Sequence, residues 1–392
     1  MIDRSKVWTG AVNEVALAGR PKPKVGFYDT TLRDGEQAVG VIFDPAQKLE
    51  IAKLIDGLGI GRIEAGFPKV SAEDAEAIRM ISSAGLKAEI WGFSRAIVDD
   101  VAAVADLGLK YTVIEAPVSH YKLGAFGIAP ESVVDRIRKA IEFAVKNGIR
   151  VAYFAVDATR ADLTFLERVY KTALDAGAKE LVMVDTIGIA TPEAVSYLVG
   201  KMTSWAGPNI PLHFHGHNDF GLATACAVAA VQAGATWIQG SIDGIGERGG
   251  NGNIPEIALA MELAYGFETG IHLDRIRTAS ERVREIARYS VEPWKPAVGT
   301  NLFVRETGAV AAQFHVPESI EPYSSTLLNT PRGIVLGKKS GAASIEIKCK
   351  ELGLAPRPET IPVLLAEVKK RAIGKRGLLT DAEFIEVVKR HG

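Results

Sequence analysis

Only two cysteines, Cys226 and Cys349, occur in the 392 residues. That excludes a disulfide framework and a thiolate metal cluster, and it fits a reducing compartment. No stretch of about 18 apolar residues is present to cross a bilayer. The opening Met1-Ile2-Asp3-Arg4-Ser5-Lys6 is charged and has no apolar h-region, so it does not read as a secretory signal. With a formal net charge of -1 there is no broad field to gather nucleic acid or an anionic membrane, and neither is expected as a partner. These absences leave a cytoplasmic protein. Its 47% hydrophobic and 24% charged residues are those of an ordinary globular chain. The length exceeds what one hydrophobic core usually holds, so a large domain with a smaller companion is expected.

What is present is a repeat. Apolar runs that read as strands fall at Val25–Tyr28, Arg62–Ala65, Ala88–Gly92, Tyr111–Glu115, Val151–Val156, Leu181–Val184, Pro211–Phe214 and Trp237–Gln239. Each is followed by a helical pattern, at 45–58, 71–84, 95–107, 130–147, 161–176, 191–204, 220–233 and 254–265. Pro45, Pro130 and Pro192 sit at or near first helical turns, and Gly59, Gly85, Gly108, Gly148, Gly177 and Gly234 sit where helices should end. Eight βα units favour a closed TIM (β/α)8 barrel over an open doubly wound sheet.

The expected layout is an N-terminal arm over 1–24 and a barrel over 25–270. A helix and extended linker follow over 271–335, then a small C-terminal helical module over 336–392. That module, with helices expected at 341–352, 359–373 and 381–391, looks too small for a core of its own.

A barrel must carry its active site at the C-terminal ends of its strands. Arg33, Asp34 and Gln37 follow strand 1, and Glu64 ends strand 2. His120 follows strand 4, Thr186 follows strand 6, and His215 and His217 end strand 7. After strand 8 comes a glycine-rich loop, Asp243 to Asn253, that carries Asn251. His215 and His217 are two apart, so on a strand both imidazoles leave one face and can meet one ion. Closure would bring Asp34 and Asn251 to them. One oxygen and two nitrogens, with Asn251 as a fourth ligand, suit divalent Mg, Mn or Zn. His213 shares the face but lies deeper and reads as structural. Arg33 beside a metal would stabilise a developing alkoxide or enolate. Gln37, His120, Arg160 and Thr186 are candidate donors to a substrate carboxylate.

Together these segments resemble the metal-dependent barrel family of homocitrate synthase, isopropylmalate synthase, citramalate synthase and 3-hydroxy-3-methylglutaryl-CoA lyase. The marks are Asp29-Thr30-Thr31-Leu32-Arg33-Asp34-Gly35-Glu36-Gln37, Glu64-Ala65-Gly66-Phe67-Pro68, Asp185-Thr186, His215-Gly216-His217-Asn218-Asp219 and Gly246-Glu247-Arg248-Gly249-Gly250-Asn251, reaching on to Gly337-Lys338-Lys339-Ser340-Gly341. The resemblance implies an acyltransferase of the Claisen-condensation branch, in which acetyl-CoA or another acyl-CoA adds to a metal-chelated 2-oxo acid. It further implies Asp34, His215 and His217 as ligands, Arg33 as the polarising cation, and Gln37 and Thr186 as substrate contacts. Arg33, Glu64 and Lys339 are the expected catalytic set, and the long segment over 289–335 with so small a tail suggests a homodimer with exchanged C-terminal regions. A lyase cleaving a hydroxy acid, or a non-catalytic 2-oxo-acid-binding barrel, would use the same constellation.

Two positions depart from the synthase pattern. Val156 stands where the synthases usually carry a strand-5 glutamate, and Lys339 stands where they usually carry a histidine. Strand 5 also offers no arginine for a distal carboxylate, so a 2-oxo acid with an uncharged side chain is expected.

Overall fold

The computed structural model describes residues 2–391. Eight parallel strands close on themselves: β1 (Gly26–Asp29), β2 (Arg62–Glu64), β3 (Glu89–Arg95), β4 (Tyr111–Pro117), β5 (Arg150–Val156), β6 (Glu180–Asp185), β7 (Leu212–Gly216) and β8 (Trp237–Gly240). The seam is made by β1 and β8, in the register Gly26↔Trp237 to Asp29↔Gly240. The TIM barrel expected from the eight-fold repeat is the fold observed.

The interior is filled according to strand alternation. Trp91 and Phe93 of β3, Val113 of β4, Ala152 and Phe154 of β5, and Val182 and Val184 of β6 form one buried cluster with Tyr28. Near the bottom of the barrel Arg62 stacks between Trp91 and Trp237, 4.8 and 3.7 Å from their ring centroids. It is paired there with Glu180 at 2.6 Å.

Local signals set the surrounding helices. Asp44 accepts from Gln47 N and Gln47 answers through its side chain, a reciprocal cap that starts Pro45–Gly57. Ser71, Asp162 and Thr191 cap their helices one way, each side chain accepting from an otherwise unpaired N–H, worth about 1 kcal/mol. The chain leaves two of these helices through left-handed Gly85 (φ 68°) and Gly148 (φ 72°). The helix after β8 runs Ile254–Leu259 and then widens into a π-helix over Ala260–Tyr265. A short helix over His120–Phe126, capped by Ser119, was not legible as a separate pattern. No helix among the described residues is long and apolar enough to cross a membrane.

The compact units divide the chain differently from the expected layout. One runs Val15–Ser290 and contains the barrel; the other joins residues 2–14 to 291–391. Within the second unit the arm is tied down by backbone bonds Trp8 N to Pro322 O (2.8 Å) and Ser324 N to Lys6 O (2.8 Å). The segment read as a linker supplies Val304–Arg305 and Gly333–Ile334, which pair as a short parallel ladder. The helices Ala342–Glu351, Ile361–Lys375 and Asp381–His391 pack on Ile345, Leu364, Val368, Phe384 and Val387, and Ala311 and Ile334 join the same cluster. The expectation that the tail lacks a core is therefore corrected. Residues far apart in sequence complete it, which periodicity within a window does not reveal.

Candidate metal centre and cavity

Three side chains from either side of the barrel seam meet at its mouth. Asp34 Oδ2 lies 3.3 Å from His215 Nε2 and 3.6 Å from His217 Nε2, and one donor atom from each falls within 4.8 Å of the other two. All three residues are buried. An antiparallel bridge joins His217 to Asn251, which brings in the glycine-rich loop. A Cβ at Gly246 would come within 2.4 Å of Asn251 Nδ2, so glycine is what lets the loop fold over that amide.

The local hydrogen bonding leaves ligand atoms unspent. Asn251 Nδ2 donates to Ile245 O at 3.0 Å, while Asn251 Oδ1, Asp34 Oδ2 and His217 Nδ1 are buried without a hydrogen bond. Orphaned buried acceptors cost about 1–3 kcal/mol each, so so many beside one another call for a guest. Burial pushes the Asp34 carboxyl up, but the Arg33 guanidinium and the two imidazoles outweigh it and hold the group far below the usual range. Burial, with His215 alongside, lowers His217 to about 4. An ionised carboxylate and a neutral imidazole are the states that ligate a cation. The donor set thus fits a divalent metal of the Mg, Mn or Zn type.

Behind His215 runs a polar relay. His215 Nδ1 is 3.1 Å from Gln239 Oε1, Gln239 Nε2 is 3.1 Å from His213 Nδ1, and His213 Nε2 is 2.6 Å from Glu180 Oε2. One proton arrangement satisfies the whole chain: each imidazole or amide N–H donates toward Glu180. Burial lowers the His213 pKa, with Glu180 pulling the other way, which keeps His213 neutral in this relay. The consequence is that His215 Nε2 carries a lone pair aimed at Asp34 and the mouth.

Arg33 is fixed from three sides. Its Nε donates to Glu64 Oε2 at 2.6 Å, its Nη1 is 3.2 Å from Asp34 Oδ1, and its guanidinium lies 4.1 Å from the Phe93 ring centroid. Its Nη2 is buried with no partner, leaving one donor unspent. Glu64 accepts from Tyr28 Oη (2.9 Å) and from Arg33, so both of its oxygens are occupied.

A cavity of about 850 Å³ opens over this cluster, and Arg33, Asp34, Gln37, Thr186, His215 and His217 all line it. Phe67, Phe93, Phe154, Val156 and Val184 make its apolar wall. Thr186 Oγ1 accepts from Asp157 N at 2.7 Å.

Three expected site residues are placed otherwise. Glu64 is fully buried behind Arg33 and off the cavity wall, which makes it an orienting group and not one that meets substrate. His120 opens an exposed helical turn and stacks on Tyr121, 3.8 Å between ring centroids. Arg160 is held by Asp157 at 2.6 Å and lies over Tyr121. Neither lines the cavity: His120 is the exposed first residue of the helix after β4, and Arg160 is drawn to Asp157 in the turn after β5. Lys339 belongs to the other compact unit, where it is exposed and pairs with Glu306 at 3.2 Å.

Gln239 and Glu115 were missed from sequence. An amide inside a buried strand was the available signal for Gln239, and an acid ending a strand at the mouth was the signal for Glu115.

The HMGL-like family profile matches residues 24–283, well over half of the chain. The chain belongs to the HMGL-like family. Homocitrate synthase AksA of Methanopyrus kandleri is 39% identical to this HMGL-like chain over 365 residues, spanning 92% of it and 91% of the relative. The 2-isopropylmalate synthase of Methanocaldococcus jannaschii is 38% identical over 373 residues, 93% of this chain and 71% of that one. Among solved structures, the HMG-CoA lyase of Brucella melitensis superposes with a TM-score of 0.61 at 20% identity, covering 68% of this chain and 100% of the lyase. That last likeness speaks to the fold. Against the synthase pattern, Val156 lines the cavity of this HMGL-like protein as an apolar group.

Proposed function

We propose that this HMGL-like protein is an acyltransferase that condenses acetyl-CoA, or another acyl-CoA, with a 2-oxo acid to give a 2-hydroxy-dicarboxylic acid. The observation that carries the reading is a fixed Arg33, its Nη2 buried without a hydrogen bond, on the wall of a cavity it shares with Asp34, His215 and His217. It occurs in a chain whose homocitrate and isopropylmalate synthase relatives match over nearly its whole length.

Each group has a task. A divalent cation held by Asp34, His215 and His217, with Asn251 as a further ligand, supplies Lewis acidity toward the keto oxygen and carboxylate when bound. Arg33, oriented by Glu64 and the face of Phe93, donates through Nη2 to the oxygen on which negative charge develops. Gln37 and Thr186 are the donors to the 2-oxo acid's carboxylate. Phe67, Phe154, Val156 and Val184 exclude water and take up the substrate's side chain. Strands β4–β6 place no cation on the cavity wall, and Lys122, from the helix after β4, is the cation that lines it there. A side chain without a distal carboxylate fits the strands' own apolar lining. We expect a cytoplasmic homodimer with exchanged C-terminal regions, and a monomer in multi-angle light scattering at micromolar concentration rejects that assembly.

Thiol release from acetyl-CoA, measured across a panel of 2-oxo acids with added Mg, Mn or Zn, tests the activity. Release that depends on both the 2-oxo acid and the metal supports it. No thiol release, together with metal-dependent pyruvate or glyoxylate formation from hydroxy acids, turns the assignment to a lyase. Binding without either reaction turns it to a binding barrel.

A further inference from the structure

A condensation needs a group to take a proton from the donor carbon, and the cavity supplies few. Of its carboxylates, Asp34 belongs to the metal cluster. Glu36 is paired with Lys48 at 2.6 Å and accepts from Phe43 N at 2.7 Å. Asp74 is bound to Lys48, and Asp44 caps a helix. Glu73 is exposed, and Glu247, more than half exposed, lies 3.7 Å from Arg248. On β5, Val156 cannot carry a proton.

Glu115 is different. It continues the inward-facing series of β4 two residues beyond Val113 and before Pro117, in register with Arg95 of β3 and Phe154 of β5. It lines the main cavity and also a smaller, mostly apolar chamber of about 230 Å³ bounded by Ile97, Phe126, Ile128 and Val133, with Arg95 and Arg136 also on its wall. Its carboxylate makes no hydrogen bond or ion pair among the described residues. We propose that Glu115 is the general base of the condensation, standing where the metal-side cavity meets the apolar chamber and taking the proton from the acyl donor's α-carbon. This rests on the acyltransferase reading above.

The step balances. The α-C–H bond breaks and its proton passes to the Glu115 carboxylate. Its electron pair becomes the new bond to the keto carbon, and the carbonyl π pair moves onto oxygen beside Arg33. Protonated Glu115 returns the proton to that oxygen, and water cleaves the thioester to a carboxylate and free thiol. Burial raises the Glu115 pKa to about 7, against the pull of Arg33 and Arg95 and with the push of Asp34 and Glu64, which suits a base working at neutral pH. Glu115 in turn helps to raise the pKa values of Arg33, Arg95 and Tyr153 of β5.

The test compares wild type, Glu115→Gln, Glu115→Asp and Glu115→Ala with and without added formate. The readouts are thiol-release kinetics over pH 5.5–9 and 2-oxo-acid binding by calorimetry. Base loss predicts a fall in kcat of about 10²–10⁴-fold in Glu115→Gln. It also predicts 2-oxo-acid affinity within a few fold of wild type, loss of the acidic limb of the pH profile, and partial recovery in Glu115→Asp or by formate in Glu115→Ala. An active wild type with Glu115→Gln at comparable kcat overturns the base role and leaves the acyltransferase reading standing. So does Glu115→Gln that merely gains activity on dicarboxylic 2-oxo acids. A wild type that releases no thiol with any 2-oxo acid overturns the acyltransferase reading, and the base role with it.

Discussion

Arg33 Nε lies 2.6 Å from Glu64 Oε2, and both side chains are almost wholly withdrawn from solvent, at 9% and 0% exposure. The pair turns a flexible cation into a fixed one. With Nε committed to Glu64 and Nη1 to Asp34, the remaining Nη2 is the one guanidinium nitrogen left without a partner, on a residue that lines the cavity. Arg33→Ala should lower thiol release by about 10²–10³-fold, the usual cost of losing one preorganised donor to a developing oxyanion. It should also reduce unfolding free energy by about 3 kcal/mol, because Glu64 is left buried and unpaired. Steady-state kinetics and guanidinium melts on the same protein check both.

Removing the metal should be visible without any turnover. A ligand at one hundred times its Kd stabilises the folded state by about 2.7 kcal/mol. Calorimetric scans with and without a chelator should therefore separate for wild type. They should coincide for His215→Ala and for Asp34→Asn, and a full metal-induced shift in either variant would rule out the assigned ligands.

The relay through Gln239 gives a subtler expectation. Gln239→Leu retains all the proposed ligands but frees His215 to take the wrong tautomer and leaves His213 Nδ1 unpaired. Metal affinity measured by titration calorimetry should fall about 10–100-fold. Unchanged affinity would show that the relay does not orient His215.

Gly246→Ala tests the loop. Its new Cβ would meet Asn251 Nδ2 at 2.4 Å and must push the amide aside. Metal binding should weaken while the melting temperature of the metal-free protein changes little. An Asn251→Ala variant should show the same weakening, and a difference between the two would separate the amide from the loop.

The pH dependence of stability follows from Glu115. Its folded pKa of about 7 exceeds the ordinary 4.5, so the protonated form favours the fold. That stabilisation is complete below about pH 4.5 and is lost as pH rises through 7. Glu115→Gln should therefore match wild type near pH 4.5 and be the more stable protein at pH 8, as read from denaturant midpoints. Asp29, also raised to about 7 by burial, titrates in the same window but is present in both proteins, so the difference reports Glu115.

The sequence by itself determined the barrel, because period-two apolar runs alternating with period-3.6 runs, punctuated by Pro45, Pro130, Pro192 and six glycines, leave few other ways to bury both kinds of face. It also determined the metal candidates, since His215 and His217 share a face of any strand that holds them. Tertiary structure decided the rest. Whether an acid near a strand end turns inward, as Glu115 does, or a histidine after a strand turns outward, as His120 does, depends on the path of the following loop. That Glu64 serves Arg33, that Gln239 links two imidazoles, and that residues 2–14 belong with 291–391 in a second compact unit are contacts across strands or across the chain. Such contacts are fixed by closure and packing, and nothing in a local window of residues records them.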